Sequence, residues 1–331
     1  MIRSPEYTLA GKSLETPFVN AAGSINGASA EDILRQVSLL SNTAIGAITV
    51  GSFTVPEQAG NEVAYGGTVY YFDEKTGATY NSMGLPNIGL AAAKTVMPEI
   101  IKRAHDGGKP VIASVSPTQA SKKIGDTFEQ TIRLVYEMQL AGADLIEVNT
   151  SCPNVVTEEG ARKPILGYDL EGMTELVSRL APWTGVQDST VGVKLPPYLT
   201  KEERQITPGL ARLFKESGVF GFLVTANTIP DQAPLDDRGE YILAVPGGSG
   251  GMSGPATRYI GREQLGMWRT LVGNSLDIMS TLGVDGGKEM AVRRELGADA
   301  VGGVTLFFES NNWGRTVTDV ISDWVEAEAL S

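Results

Sequence analysis

The stretch Asp144-Leu-Ile-Glu-Val-Asn-Thr-Ser-Cys-Pro-Asn154 predicts a buried strand that ends in a polar turn. Most of its first half is apolar, and a Gly-Ala pair precedes it, as is typical of a strand start. Pro153 ends the strand, because proline has no backbone N–H to give to a sheet. The turn carries Asn149, Asn154 and the chain's single cysteine, Cys152. This combination indicates a base beside amides that could bind a neutral ring, although a lone cysteine is also often a small buried hydrophobe.

The same alternation of a short apolar strand with an amphipathic helix runs along the chain. We predict strands at 17–22, 45–50, 110–115, 144–149, 190–195, 219–225, 277–281 and 300–304, and helices at 30–40, 90–106, 125–141, 168–181, 201–217, 259–272, 286–296 and 313–328. Alternation of this kind predicts an α/β fold with a parallel sheet and the helices outside it. Eight units in 331 residues predict a (β/α)8 TIM barrel. Because no linker, charge run or repeat divides the chain, we expect a single domain over residues 1–331.

Two long connections interrupt this alternation. The first, 51–88, follows the second strand and is β-rich at 67–80, and the second, 227–256, follows the sixth strand and is rich in glycine. Loops of this length in a compact domain usually serve a function. Residues 1–13 predict a short lid or hairpin.

The composition narrows the class of protein. A formal net charge of −12 argues against nucleic acid and anionic membranes as partners. One cysteine excludes an internal disulfide, a cysteine-ligated zinc and an iron–sulfur cluster held by this chain alone. The only histidine, His105, argues against a histidine metal site or a Ser-His-Asp triad, and we expect it at the surface. With one cysteine and one histidine, we expect no metal site. Because we find neither a signal peptide nor an apolar run long enough to cross a bilayer, we expect a cytoplasmic protein.

Glycines cluster at the ends of the last three strands. They are Gly250 with Gly251, then Gly283, then Gly302 with Gly303. Backbone N–H groups at such positions can bind a phosphate without any side-chain charge, and barrels commonly hold one in this region. The alternative is that these glycines only form tight turns.

Lys194 lies within an apolar predicted strand, where a buried ammonium needs a partner. That partner could be the anionic edge of a flavin or a ligand carboxylate. The alternative is a structural salt bridge to Glu147 or Asp277.

Four amides converge on the same mouth of the predicted barrel, namely Asn81, Asn149, Asn154 and Asn227. Amides offer both donors and acceptors, which suits a cyclic imide or amide ring better than a phosphate or a peptide. Taken singly, each could also be an ordinary turn residue.

Four motifs together resemble class 1 dihydroorotate dehydrogenases, over about residues 17–305. They are Asn81-Ser-Met-Gly-Leu-Pro-Asn87, Asn149-Thr-Ser-Cys-Pro-Asn154, Gly192-Val-Lys-Leu-Pro-Pro-Tyr198 and Gly250-Gly-Met-Ser-Gly254. The first looks most like class 1A, the soluble, homodimeric, fumarate-using type. The resemblance implies a flavin mononucleotide (FMN) barrel that oxidises dihydroorotate to orotate in pyrimidine biosynthesis.

The resemblance also implies roles for individual residues. Cys152 matches the base that takes a proton from C5 while hydride leaves C6 for flavin N5, and a serine there would mark the membrane-bound class 2. The positions that match substrate contacts are Asn81, Met83, Gly84, Leu85, Asn149, Asn154, Asn227 and Thr228. The positions that match flavin contacts are Ala22, Gly23, Ser114, Asn149, Lys194, Gly251, Leu282, Gly283, Val304 and Thr305.

The sequence departs from the family at several of these points. Val50 stands where the family has a lysine near the flavin and the substrate carboxylate, and Gln58 stands where it has an arginine. Leu282 and Val304 replace glycines of the phosphate site. Either another cation, Lys163 or Arg162, compensates, or the substrate is less acidic than dihydroorotate.

Two rival functions therefore stay open. One is an FMN oxidoreductase that acts on a related ring without the carboxylate, such as a dihydropyrimidine base. The other is a flavin-binding barrel without turnover, against which the retention of Cys152 and the four amides argues.

Overall fold

The computed structural model describes residues 7–26, 29–117, 124–152, 165–184, 189–310 and 312–329. Its strands are β1 (Tyr7–Leu9), β2 (Lys12–Leu14), β3 (Phe18–Asn20), β4 (Ile48–Phe53), β5 (Tyr70–Asp73), β6 (Ala78–Asn81), β7 (Val111–Val115), β8 (Leu145–Asn149), β9 (Val191–Leu195), β10 (Phe222–Thr225), β11 (Ile229–Gln232), β12 (Gly250–Ser253), β13 (Asp277–Ser280) and β14 (Ala300–Gly303). Its α-helices are α1 (Ala30–Ser41), α2 (Asn61–Tyr65), α3 (Gly89–Asp106), α4 (Ile124–Leu140), α5 (Leu170–Leu180), α6 (Lys201–Ser217), α7 (Arg258–Val272), α8 (Gly287–Glu295), α9 (Thr305–Phe308) and α10 (Trp313–Ala329).

Eight parallel strands form the barrel in the order β3-β14-β13-β10-β9-β8-β7-β4, which confirms the predicted (β/α)8 architecture. The seam between β3 and β4 is closed by a bridge between Val19 and Ala47. The amide of Asn20 completes this seam. Its Oδ1 accepts from the backbone N–H of Thr49 at 2.9 Å, and its Nδ2 donates to the Thr49 carbonyl at 2.7 Å. A side chain thus supplies the hydrogen bonds that a longer strand would make.

The barrel interior is apolar at one end and polar at the other. The apolar end contains Leu9, Leu14, Val19, Ala47, Ile112, Leu145, Phe222, Val224, Met279 and Ala300. Gly192 makes room for the Phe222 ring, because a Cβ on that glycine would lie 2.4 Å from the ring. Above this layer the inward-facing residues become hydroxyls, amides and charged groups. The sequence therefore fills one end of the barrel and leaves the other for a ligand.

The segment predicted as a lid or hairpin is the hairpin β1–β2. The backbone N–H of Ala10, in its turn, donates to Asp277 Oδ2 at 2.7 Å, and Asp277 is the first residue of β13. Because that is the amino-terminal end of a barrel strand, the hairpin covers the end of the barrel opposite the polar one.

The two long connections pair with each other in a four-stranded antiparallel sheet, in the order β11-β12-β6-β5. Gly251 of β12 lies opposite Asn81 of β6. Both insertions were predicted, and their pairing carries motifs from distant parts of the chain to the polar mouth of the barrel.

Most boundaries lie within three residues of the prediction, and the second barrel strand shows the largest shift. It was predicted at 45–50 and runs from Ile48 to Phe53. A register irregularity between Val50 and Phe53, with Gly51 at φ +99°, carries the strand past the apolar run that suggested its end.

Candidate active site

A cavity opens at the polar end of the barrel, with about 1100 Å³ of empty space counting its mouth. Cavities of this size accept cofactors together with small ligands. Fifteen of the residues proposed from the sequence line it: Ala22, Gly23, Asn81, Met83, Gly84, Leu85, Asn149, Cys152, Lys194, Asn227, Thr228, Leu282, Gly283, Val304 and Thr305. The sequence thus identified most of one continuous wall.

Two proposed residues do not line the cavity, and a third lies outside the described residues. Ser114 is fully buried behind the wall, where its hydroxyl contacts Ser52 and Glu147. Gly251 pairs with Asn81 within the small sheet and does not line the cavity, although its neighbours Ser253 and Gly254 do. Asn154 lies outside the described residues, as do Lys163 and Arg162.

Ser151 holds two of the amides in place beside Cys152. Asn149 Oδ1 accepts from the backbone N–H of Ser151 at 3.1 Å and from its hydroxyl at 3.0 Å. Asn227 Nδ2 donates to the Ser151 carbonyl and hydroxyl, both at 3.0 Å. These bonds tie the end of β8 to the end of β10. They fix which end of each amide carries the N–H groups, because the Ser151 backbone N–H can only donate to Asn149 and the Ser151 carbonyl can only accept from Asn227.

Lys194 lies opposite Asn149 on the neighbouring strand β9, with 6 % of its surface exposed. Within the part of the chain that the structure describes, no carboxylate lies within ion-pair distance of it, so the salt bridge to Glu147 or Asp277 is not formed. Glu147 Oε1 instead accepts from the Ser114 hydroxyl at 2.7 Å, and Asp277 lies at the other end of the barrel. The ammonium is therefore directed to the cavity as its source of positive charge.

The segment Met83 to Leu85 offers backbone N–H groups to the cavity. Gly84 (φ +72°) and Leu85 (φ +55°) are both left-handed, and the Met83 carbonyl accepts from the backbone N–H of Asn61 at 2.8 Å. None of the N–H groups of Met83, Gly84 and Leu85 has a hydrogen-bond partner among the described residues. Successive free N–H groups in such a curve form a site for an anionic oxygen.

The opposite wall follows strands β13 and β14. Leu282 (φ +61°) and Gly283 (φ +82°) turn the chain sharply, and a Cβ on Gly283 would lie 2.6 Å from the backbone of Arg258. In the described structure the backbone N–H groups of Leu282, Gly283 and Val304 have no hydrogen-bond partner. These N–H groups belong to the backbone whatever side chain position 282 carries, and they suit a phosphate.

Arg293, which the sequence did not single out, holds this wall from behind. Its side chain is fully buried and donates to Ser280 Oγ at 2.8 Å and to the carbonyls of Thr281 and Leu282 at 3.1 and 2.9 Å. Burial lowers the pKa of the Arg293 guanidinium, whereas its bond to Glu289 opposes that shift. In the sequence Arg293 belongs to a charged helix, α8, whose pattern gives no sign that one arginine faces inward.

An aromatic pair, Tyr70 and Phe308, lines the cavity and was also missed. Their rings stack at 5.0 Å with an interplanar angle of 24°, and the Tyr70 hydroxyl donates to Glu309 Oε1 at 2.7 Å. Burial, followed by that hydrogen bond, raises the pKa of Tyr70 well above its ordinary value. Tyr70 is therefore a neutral donor across the physiological range.

The structure also shows where the two residues lie that replace family cations, Val50 and Gln58. Val50 is fully buried in the core between the barrel and the helices, and Gln58 pairs through its backbone with Asn87. Neither lines the cavity; the residue of β4 that does so is Ser52. Lys194 is the only lysine or arginine among the described residues that line it.

Comparison with known proteins gives one consistent family. The family described as dihydroorotate dehydrogenase matches residues 5–325. A dihydroorotate dehydrogenase (quinone) from Arthrobacter sp. (strain FB24) is 27 % identical over 319 residues, covering 95 % of this chain and 84 % of the relative. A dihydroorotate dehydrogenase A (fumarate) from Limosilactobacillus reuteri (strain DSM 20016) is 25 % identical over 295 residues, covering 88 % and 84 %.

Among solved structures, the fold is similar to that of DHODH in complex with ferulenol from Eimeria tenella. The TM-score is 0.73 at 18 % identity, covering 98 % of this chain and 84 % of the other. No helix in the described ranges combines the length and hydropathy that a bilayer crossing requires.

Proposed function

The chain belongs to the dihydroorotate dehydrogenase family, and we propose that it oxidises (S)-dihydroorotate to orotate with a bound FMN. The observation that carries this proposal is the meeting of Cys152, Asn149, Asn227 and Lys194 in one cavity. An acidic cyclic amide and an electron-accepting ring require a base, amides of fixed orientation and a positive charge. The cavity offers Cys152, the two amides, and an ammonium without an ion-pair partner among the described residues.

The residues present fit an FMN. The free N–H groups of Leu282, Gly283 and Val304 would hold its phosphate, and Gly302 and Gly303 leave the adjoining wall without side chains. Lys194 would lie at the electron-rich edge of the ring system, where its charge stabilises added electron density. Ala22 and Gly23 would line the ring. When bound, the flavin supplies the chemistry of a two-electron oxidant that accepts hydride.

The substrate would lie between Cys152 and the Met83–Leu85 segment. Asn81, Asn149, Asn227 and Thr228 would bind the ring's carbonyl and N–H groups, and the free N–H groups of Met83 to Leu85 would bind its carboxylate. Asn154, outside the described residues, is proposed as a further ring contact from the motif alone.

Cys152 is proposed as the base. Its thiolate takes a proton from C5 of dihydroorotate while the hydrogen on C6 leaves as hydride, so that a C5=C6 double bond forms and two electrons reach the oxidant. The thiol then returns its proton to water. Only a thiolate can accept the proton, so the rate should rise with pH.

We propose fumarate as the electron acceptor, and a cytoplasmic homodimer as the working form. Cys152 in the position where class 2 has serine supports this, as does the motif Asn81 to Asn87. Relatives named for quinone and for fumarate match at similar identity, which makes the acceptor a separate question for experiment.

A second substrate is favoured by one specific observation. Lys194 is the only cation on the cavity wall of the described structure, and the residue of β4 that lines the cavity is the neutral Ser52. A charged hydrogen bond to a carboxylate is worth roughly 1.5–3 kcal/mol, so a cavity that binds the carboxylate through backbone N–H groups alone would bind it about one to two decades more weakly. Dihydrouracil is the simplest related ring without a carboxylate.

The test is steady-state orotate formation by the purified chain with fumarate as acceptor. Orotate formation at low micromolar dihydroorotate, with dihydrouracil inert, supports the leading proposal. Turnover of dihydrouracil alone would replace it by the second.

A further inference from the structure

A chain of four hydrogen-bonded side chains runs from the barrel interior to the cavity. Asn149 Nδ2 donates to Ser52 Oγ at 3.3 Å, Ser52 and Ser114 hydroxyls are 2.8 Å apart, and Ser114 donates to Glu147 Oε1 at 2.7 Å. Ser114 and Glu147 are fully buried, and Ser52 and Asn149 are buried and line the cavity. Glu147 is therefore a buried acid that the proposed reaction does not use.

The chain has a fixed direction. Asn149 must turn Nδ2 toward Ser52, because its Oδ1 accepts from a backbone N–H. At the other end Ser114 donates its single hydroxyl hydrogen to Glu147 Oε1. Ser114 then has only lone pairs for Ser52, and Ser52 must donate its own hydrogen inward.

This direction decides what Ser52 offers to the cavity. A serine hydroxyl has one hydrogen and two lone pairs. The hydrogen goes to Ser114 and one lone pair accepts from Asn149, which leaves a lone pair for a ligand. A ligand group at Ser52 must accordingly be a hydrogen-bond donor.

The burial of Glu147 is unfavourable for the stability of the fold. Its Oε2 is buried and has no hydrogen-bond partner among the described residues. An acceptor left unpaired in a core is unfavourable, and an apolar side chain of similar size would avoid the penalty.

We propose that Glu147 is a positioning residue. Acting through Ser114, it makes Ser52 an acceptor in the cavity that takes an N–H of the bound ring, either the imide of the flavin or the amide of the dihydropyrimidine. This inference rests on the proposed function to the extent that one of these rings occupies the cavity.

The test compares Glu147→Gln, Ser114→Ala and Ser52→Ala, each as the full chain purified with its flavin. Flavin release on dilution gives the FMN affinity, and titration of the flavin spectrum with orotate gives the affinity for the second ring. A glutamine can donate to Ser114 and reverse the chain, and alanine at 114 frees the Ser52 hydrogen. We expect each variant to weaken one of the two affinities about three- to tenfold, as loss of one hydrogen bond does.

Combining Glu147→Gln with Ser52→Ala separates positioning from a general structural effect. If Glu147 acts through Ser52, it has no further effect once Ser52 is alanine. Thr49→Val removes another buried hydroxyl of the interior, one without a hydrogen-bond partner among the described residues, and should leave both affinities unchanged.

The outcomes are distinct. Weaker FMN binding with unchanged orotate binding assigns the donor to the flavin, and the reverse pattern assigns it to the dihydropyrimidine; either supports the proposal. Wild-type affinities in both Glu147→Gln and Ser114→Ala, or an undiminished effect of Glu147→Gln in the Ser52→Ala background, would overturn it while leaving the proposed function intact. A wild-type chain that binds neither FMN nor orotate would contradict the proposed function, and this inference with it.

Discussion

Lys194 and Asn149 lie opposite each other on the neighbouring strands β9 and β8, and both side chains line the cavity. The lysine is buried without a carboxylate partner among the described residues, whereas both ends of the Asn149 amide are hydrogen-bonded. A fixed neutral group and an uncompensated charge thus lie side by side. An uncompensated buried charge is unfavourable for folding, so its position indicates a ligand that is electron-rich on this side.

Replacing Lys194 by methionine should separate stability from binding. We expect the flavin-free protein to gain about 0.5–2 kcal/mol in its free energy of unfolding, because a buried charge is lost. We expect FMN affinity to fall by one to two decades, because a charged hydrogen bond is lost. Denaturation and flavin release measure the two effects. Lys109→Met is the matched control: Lys109 is also buried but pairs with Glu15, so its loss should destabilise the protein without affecting FMN.

Replacing Cys152 by alanine should slow flavin reduction about 10²- to 10⁴-fold, the usual contribution of a general base. FMN and orotate affinities should stay near wild type. Cys152→Ser keeps the shape of the side chain and should also be slow, because a hydroxyl ionises less readily than a thiol. Anaerobic stopped-flow measures the rate. An unchanged rate in Cys152→Ala would remove the cysteine from the mechanism and favour a barrel without this chemistry.

Arg293→Lys should weaken the phosphate wall. Lysine keeps the charge but cannot reach Ser280, Thr281 and Leu282 together, as the arginine fork does. We expect a loss of about 1.5–3 kcal/mol in stability and a parallel loss of FMN affinity. Arg294→Lys on the same helix, where the native side chain binds the carbonyls of Ala298 and Asp299, is the control. Equal FMN affinity in both variants would show that Arg293 does not support the wall.

Asp277 predicts a pH dependence of stability at the other end of the barrel. Burial, then the charge of Asp299, raise the pKa of Asp277 above its usual value. A carboxyl with a raised pKa contributes stability fully below its unfolded value of about 3.9 and loses it as pH rises through the folded value. An asparagine at position 277 can still accept the hydrogen bond from the Ala10 backbone N–H, and because it does not titrate it loses no stability as pH rises. Asp277→Asn should therefore be more stable than wild type at pH 7, with the gain shrinking toward pH 4; a gain independent of pH would contradict this.

Much of the fold could be predicted because local signals agreed with the tertiary structure. The helix predicted at 30–40 is α1, and the hydroxyl of Ser29, which precedes it, accepts from the backbone N–H of Asp32. His105 was expected at the surface, and its side chain is 48 % exposed beside Asp144. The extent of β4 could not be predicted, because an irregularity at Gly51 carries the strand beyond its apolar run.

In the candidate site, too, local sequence signals point to some residues and not to others. Residues within motifs, such as Cys152 and Asn149, could be proposed because several unusual residue types occur together, and the structure places both on the cavity wall. Tyr70 and Arg293 were missed, because their roles depend on contacts with Phe308 and Leu282, which are remote in sequence. The sequence could not show where the Val50 side chain points: strand alternation places it against the helices.

The measurement that tests the central claim most directly is anaerobic mixing of the flavin-loaded protein with dihydroorotate, followed by the flavin absorbance. We predict rapid bleaching by dihydroorotate and slow or no bleaching by dihydrouracil. Bleaching by dithionite alone, with none by dihydroorotate, would show that the flavin is competent and that dihydroorotate is not the substrate.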